Sequence, residues 1–315
     1  MSGADTAPGW SPMALLRAID LRDVGHRALA RTRRATGRIK GQSTAPLQPF
    51  GHPGDGPPIL MIHGLLESPA IWRPVLPLIK DLGGAGGFLP LPGHTPWTHP
   101  DLPLPSEDGG SAYFEAMIAA YAARLQRIGR PVRLVGHSTG GLIALALAAR
   151  HPTLVRDVLL IGALFAGHRG RDTGPLETLL SAPYLGPASF HAMVTSWAST
   201  PARFRQGVTT ASAQPLPHSH TLHRMRRDVL RANLDAVYQF GQWLYGADLT
   251  ACLEQVTCPV LSLLCTKDPV VTPAHQLDLL GRLPRGRAVL LNSGHLPMLE
   301  DAPGLAMAIR HWAAT

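Results

Sequence analysis

Residues 132–152 read VRLVGHSTGGLIALALAARHP, and their character changes in the middle. The stretch opens on an apolar-rich run with the β-branched Val132 and Val135, passes three glycines packed around one serine, and continues as alanine and leucine. A short apolar run bounded by glycine predicts a buried strand, and LIALALAAR, free of glycine and proline, predicts a helix. Ser138 therefore falls on a strand-to-helix turn. A turn that tight strains its central residue and leaves little room beside it, which Gly136, Gly140 and Gly141 accommodate. The serine hydroxyl is then held clear of the sheet beside a helix N-terminus, where developing negative charge is favoured. This is the G-x-S-x-G pattern of a nucleophile elbow, and an ordinary glycine-rich turn is its competitor.

A serine alcohol is a poor nucleophile at neutral pH, so the elbow needs a base, an acid to orient that base, and donors for an oxyanion. RAVLLNSGHLPMLEDAP predicts a strand at 287–291 followed by a Gly-His pair, which puts His295 on a loop just past a strand end. CPVLSLLCTKDPVVTPAHQLDLL predicts a buried strand near 260–265, with Asp268 three residues beyond it. Both positions lie outside the carboxyl ends of strands, where α/β proteins keep their chemistry. The chain order Ser138, Asp268, His295 is that of an α/β-hydrolase triad.

Four stretches in order, ILMIHGLLESPAIW, LPLPGHTPW, VGHSTGG and TKDPVVTP with NSGHLPMLEDAP, resemble the α/β-hydrolase superfamily, in its lid-bearing serine esterase and lipase branch. The likeness covers roughly residues 57–313. It implies an α/β fold: a mostly parallel sheet with helices on both faces and a helical lid inserted after the sixth strand. It also implies an oxyanion hole made by the backbone N–H groups of Leu65 and Thr139. Relatives that cleave epoxides or carbon–halogen bonds carry aspartate at the nucleophile position, and Ser138 speaks against both. DVLLIGALFAG offers no carboxylate after Asp157, so the rival acid position beyond the sixth strand is vacant and Asp268 stands alone. His63 and His137 belong to the motifs as packing or positioning residues, and His94 carries little catalytic weight.

Charge locates two further regions. Residues 1–45 hold eight basic and three acidic residues, and residues 164–235 hold eight arginines and four acids, within a chain of net charge +8. The expected organisation is a basic N-terminal segment at 1–45, a hydrolase core at 46–163 and 236–315, and a lid at 164–235. In the first segment Arg27, Arg31, Arg34 and Arg38 would form one stripe on a helix. A solvated tail, a peripheral contact with an anionic membrane and an Arg-rich targeting peptide all fit that stripe. No aromatic platform or known module points to nucleic acid.

Nearly a hundred residues separate the predicted strands at about 156–161 and 260–265, far more than a crossover needs. Phe165, Leu179, Leu180, Tyr184, Phe190, Trp197 and Phe204 in this gap are candidates for an acyl pocket or for packing of the lid. His218, His220 and His223 cluster without cysteine or carboxylate partners at fitting spacing, so no metal site is assigned. Three cysteines, Cys252, Cys258 and Cys265, form no paired framework, which favours a reducing, cytoplasmic compartment. No run of about 18 apolar residues reads as a spanning helix. Only APLQPFGHPGDGPP is available for the two antiparallel strands that open the family's sheet, and GFLPLPGH carries Pro90, which cannot donate to a ladder. The first strands are therefore expected to be missing or rudimentary, with the Pro90 strand at the edge.

The expected activity is hydrolysis of a small-molecule carboxylic ester through an acyl-enzyme on Ser138, with no cofactor. Acyl transfer, lactone opening, C–C hydrolysis and cofactor-free haloperoxidation on the same residues stay open. So does ligand binding on a hydrolase scaffold, and the oligomeric state is undetermined.

Overall fold

The computed structural model describes residues 41–79, 82, 84–105, 110–167 and 186–315. Seven strands form one sheet: β1 (Gln48–Asp55), β2 (Ile59–Ile62), β3 (Gly84–Leu89), β4 (Val132–His137), β5 (Val155–Ile161), β6 (Val260–Cys265) and β7 (Gly286–Leu291), in the order β1-β3-β2-β4-β5-β6-β7. β1 pairs antiparallel with β3, and every other pairing is parallel. Parallel strands buried on both faces need apolar side chains in both directions, and the inner strands supply them. Leu60, Ile62, Val132, Leu134, Val158 and Leu160 face one layer of the core, while Ile59, Met61, Val135, Leu159 and Ile161 face the other.

The first layer is covered by α1 (Ser111–Gln126) and α2 (Thr139–Arg150), with α7 (Pro273–Arg282) alongside. The second is covered by α8 (Ala302–Ala313) and the short turn at Pro69–Trp72. Arg133 crosses between strands and helix: its guanidinium pairs with Asp157 at 2.8 Å and donates to the carbonyls of Trp312 and Ala313, which closes the C-terminus of α8. A buried charge is tolerable there because its donors are met.

Between β5 and β6 the described chain forms four α-helices: α3 (Gly186–Trp197), α4 (Pro201–Thr209), α5 (His220–Val229) and α6 (Leu234–Gly246). Thr200, Ser219 and Asn233 each accept a backbone N–H three residues on, which fixes where α4, α5 and α6 begin. The insertion is tied down at the carboxyl ends of the strands. Asn233 N–H donates to Gly93 O, Ser68 Oγ donates to Asp228, and His295 N–H donates to Ala211 O. Phe190 and Phe204 are buried within it and Trp197 stacks on Phe204, so these aromatics pack the insertion together. Phe165 stacks instead on His275. Leu179, Leu180 and Tyr184 lie outside the described residues, as does the basic stripe from Arg27 to Arg38.

At the N-terminal edge the expected shortening is present, and only the placement of the Pro90 strand is corrected. One antiparallel strand, β1, is present, and β3 is internal rather than at the edge. The reason is one residue of register. β3 ends at Leu89, so Pro90 is never asked for a ladder donor, and its carbonyl accepts the Tyr121 hydroxyl at 2.8 Å. β1 itself is irregular, with a register shift between Phe50 and Asp55 across the Pro53–Gly54 region. Among the described residues no helix is long and apolar enough to cross a membrane.

Candidate active site

Ser138 stands between β4 and α2 with φ 51° and ψ −121°, a conformation costing about 1–3 kcal/mol for a residue with a Cβ. The tight turn is possible because nothing protrudes opposite it: a Cβ on Gly140 would lie 2.3 Å from the Ile62 carbonyl oxygen. Ser138 N–H donates to Ile161 O, which sets the elbow against the end of β5. The next residue along β5, Gly162, has φ 50°, and a Cβ there would meet Asp268 Oδ2 at 3.0 Å and His295 Nδ1 at 3.3 Å. The ends of β4, β5, β6 and β7 thus converge on one place, where the site residues expected from the sequence gather.

Asp268 and His295 are in direct contact. His295 Nδ1 donates to Asp268 Oδ2 at 2.7 Å, which leaves Nε2 of the neutral ring unprotonated. Asp268 is buried and takes three further donors: the N–H groups of Val270 and Val271 at 2.8 Å each, and Gln276 Nε2 at 3.3 Å. The carboxylate is therefore fixed in rotation before it meets the histidine. Ser138 Oγ has no hydrogen-bond partner among the described residues, His295 included. Contacts between nucleophile and base are often long without substrate and tighten when it binds.

The backbone N–H groups of Leu65 and Thr139 likewise have no acceptor among the described residues. Thr139 opens α2, so its N–H is one of the unsatisfied donors of a helix start. Leu65 lies on the loop after β2, which turns back through Leu66 at φ 59°. His94 braces that turn. Its Nδ1 donates to Pro92 O and its Nε2 accepts the Leu66 N–H at 3.0 Å, a pattern that requires a neutral ring. Burial pushes His94 down to about 3, so the ring keeps that form. His63 is held in the same way, donating to Gly64 O and accepting Leu91 N–H, and burial lowers it too.

A model of the alpha/beta hydrolase family matches residues 59–308. The chain belongs to that family. It is 30% identical over 257 residues to a pimeloyl-(acyl-carrier protein) methyl ester esterase of Neisseria meningitidis serogroup B, covering 80% of this chain and 91% of the relative. It is 32% identical over 136 residues to lipase LipV of Mycobacterium tuberculosis, where the match spans 42% of this chain and 48% of the lipase. In fold it resembles the enol-lactonase of Burkholderia xenovorans LB400, with TM-score 0.66 and 18% identity over 86% of this chain and 96% of that one. An esterase from Exiguobacterium antarcticum is equally similar, with TM-score 0.66 and 17% identity over 85% and 95%. The chain is a hydrolase, and its curated relatives include esterases.

This hydrolase carries two glutamates at the site that sequence reasoning did not place. Glu67 is buried, accepts the Gly64 N–H at 2.7 Å and pairs with His137 Nδ1 at 3.0 Å. Glu300 closes the short helical turn Pro297–Glu300 just after His295. It accepts the N–H groups of Gly294 and Leu296, on either side of His295, and of Ala213 in the helical insertion. Asp301, the next residue, caps α8 through Gly304 N–H. A signal for Glu67 did exist: it is the one charged residue in the apolar ILMIHGLLESPAIW.

Proposed function

We propose that this hydrolase cleaves a carboxylic ester through an acyl-enzyme on Ser138. Ser138 Oγ attacks the acyl carbonyl carbon while His295 Nε2 accepts the hydroxyl proton. The carbonyl oxygen becomes an oxyanion, met by the N–H groups of Leu65 and Thr139. The tetrahedral intermediate collapses, the C–O bond to the leaving alcohol breaks, and His295 gives the alcohol its proton. Water then attacks the acyl carbon, again losing a proton to His295, and releases the acid and free Ser138. Asp268 orients the ring and stabilises its charged form throughout. The reading needs no metal or organic cofactor.

The observation that carries this reading is the 2.7 Å bond between Asp268 and His295, set where the strained Ser138 turn leaves two backbone donors open. The esterases among the relatives favour ester hydrolysis over the other reactions of the same residues. In the same reading the insertion at 164–235 covers Ser138 as a lid and selects the acyl group. The basic segment at 1–45 gives a cytoplasmic protein its peripheral contact with anionic lipid. The test is covalent labelling of Ser138 by a fluorophosphonate, with Ser138→Ala as control, followed by turnover of esters of graded chain length. Labelling and turnover that both vanish in Ser138→Ala support the reading, and turnover that survives it rejects the reading.

A further inference from the structure

His137 precedes Ser138 and is fully buried. Its ring makes two hydrogen bonds, Nε2 to the His295 carbonyl oxygen at 2.7 Å and Nδ1 to Glu67 Oε2 at 3.0 Å. A carbonyl has no proton to give, so Nε2 must carry one. Glu67 Oε2 also takes the Gly64 N–H at 2.7 Å, the environment of a carboxylate anion, and that assigns the second proton to Nδ1. Both ring nitrogens donate, and a ring that donates twice is an imidazolium.

We propose that Glu67 and His137 form a resident carboxylate–imidazolium pair that positions the two sides of the site about Ser138. Glu67 holds the start of the Gly64–Leu65 turn, His137 holds the His295 backbone, and Ser138 is joined to His137 by a peptide bond. The proposal rests on the reading of Ser138 as nucleophile, His295 as base and Leu65 as an oxyanion donor.

The other charged or titratable groups around the ring come from three directions. His63 at the end of β2 is neutral by its hydrogen bonds, and the Asp268 charge is taken up by His295 Nδ1. The His295 ring lies 4.7 Å from that of His137, and Trp72 presents its ring at right angles 6.5 Å away. Burial alone would push His137 down, but Glu67 and the His295 carbonyl outweigh it, and its pKa lies above the ordinary 6.5. Burial would raise Glu67, and His137 overrides this to hold it down to about 2. If Glu67 loses its charge, the buried imidazolium loses its counter-ion and sheds a proton. The proton lost is that on Nδ1, since Nε2 keeps the His295 carbonyl as its acceptor, so the link from His137 to the Gly64–Leu65 turn is remade and that turn shifts relative to Ser138.

The test begins with the full-length protein carrying 15N-labelled histidine, with His137→Asn to assign the signals. Both His137 ring nitrogens should show the shifts of a mostly protonated ring at about pH 6.5, where a histidine at its ordinary value is half neutral. A neutral His137 ring in the wild type overturns the proposal, whatever the activity shows. For Glu67→Gln, kcat should fall roughly a hundredfold, the order expected of a 1 Å misplacement, with KM within about threefold. The alkaline limb of its kcat profile should move to lower pH. The double variant Glu67→Gln/His137→Asn should cost no more than the worse single variant, as for residues that act as one unit. A folded Glu67→Gln with wild-type kcat and pH profile overturns the positioning role. If Glu67→Gln does not fold, the wild-type ring shifts and the kcat of His137→Asn decide. If the wild type turns over no ester, the reading of Ser138 fails while the ring shifts still test the pair.

Discussion

The loop that follows β2 and the loop that follows β7 are each tied down by a glutamate, in opposite surroundings. Glu67 is buried, 8% exposed, and faces a cation, His137, as well as an amide. Glu300 is half-buried and faces three amides, of Gly294, Leu296 and Ala213, with no cation beside it among the described residues. A charge taken fully out of water needs a counter-charge, whereas one at the rim can rely on amide donors and solvent. The same task, holding a loop in place, is therefore done rigidly on the oxyanion side and more softly on the histidine side. The softer brace is also the one that reaches the helical insertion, through Ala213.

The largest effects should erase the contrast. Ser138→Ala and His295→Ala should each lower kcat for an ester by roughly four to six powers of ten, and the double variant by little more. In the Ser138→Ala background, changing Glu300 should add little, since its brace serves the histidine that the missing hydroxyl leaves without a partner. Losses that multiply in the double variant would break the pairing of Ser138 with His295. Next in size is Asp268→Asn, which should fold yet lose roughly three to four powers of ten in turnover by leaving His295 in the wrong tautomer.

Stability should separate the two glutamates. Glu67→Gln breaks a buried ion pair and should cost about 3–5 kcal/mol, read as a shift in the denaturant midpoint. Its pH dependence follows from the two shifts. His137 is raised, so its contribution is fully present below its ordinary 6.5 and lost as pH rises through the folded value. Glu67 is depressed, so its contribution is present above its ordinary 4.5 and lost as pH falls towards about 2. The gap in Tm between wild type and Glu67→Gln should be widest between pH 4.5 and 6.5 and narrow on both sides. A gap independent of pH would mean the pair is not ionised. The smallest effect is expected of Glu300→Gln: about 1–2 kcal/mol of stability and a loss within about tenfold in kcat/KM, because water can reach the freed amides. Equal costs at Glu67 and Glu300 would remove the contrast altogether.

The elbow at Ser138 and the positions of Asp268 and His295 were legible because each lies in a short motif at a strand end, where local composition dictates the turn. The paired bracing was not. Glu67 meets His137 across 70 positions and Glu300 meets Ala213 across 87, and no local pattern encodes such partners. β1 was expected to be missing or rudimentary for a different reason. Its QPFGHPGD reads as a turn by composition, and only the neighbouring β3 makes it a strand. The insertion's aromatics were legible as a group but not in their role, since packing and pocket lining use the same residues.

The proposed reaction stands on a covalent intermediate at Ser138. The most direct measurement is to quench the enzyme in acid while it turns over an excess of a slowly deacylated ester, then map the acyl group by peptide mass spectrometry. One acyl group is expected on the peptide holding Ser138, and none after Ser138→Ala. An acyl group on another peptide, or steady ester turnover by Ser138→Ala, would contradict it.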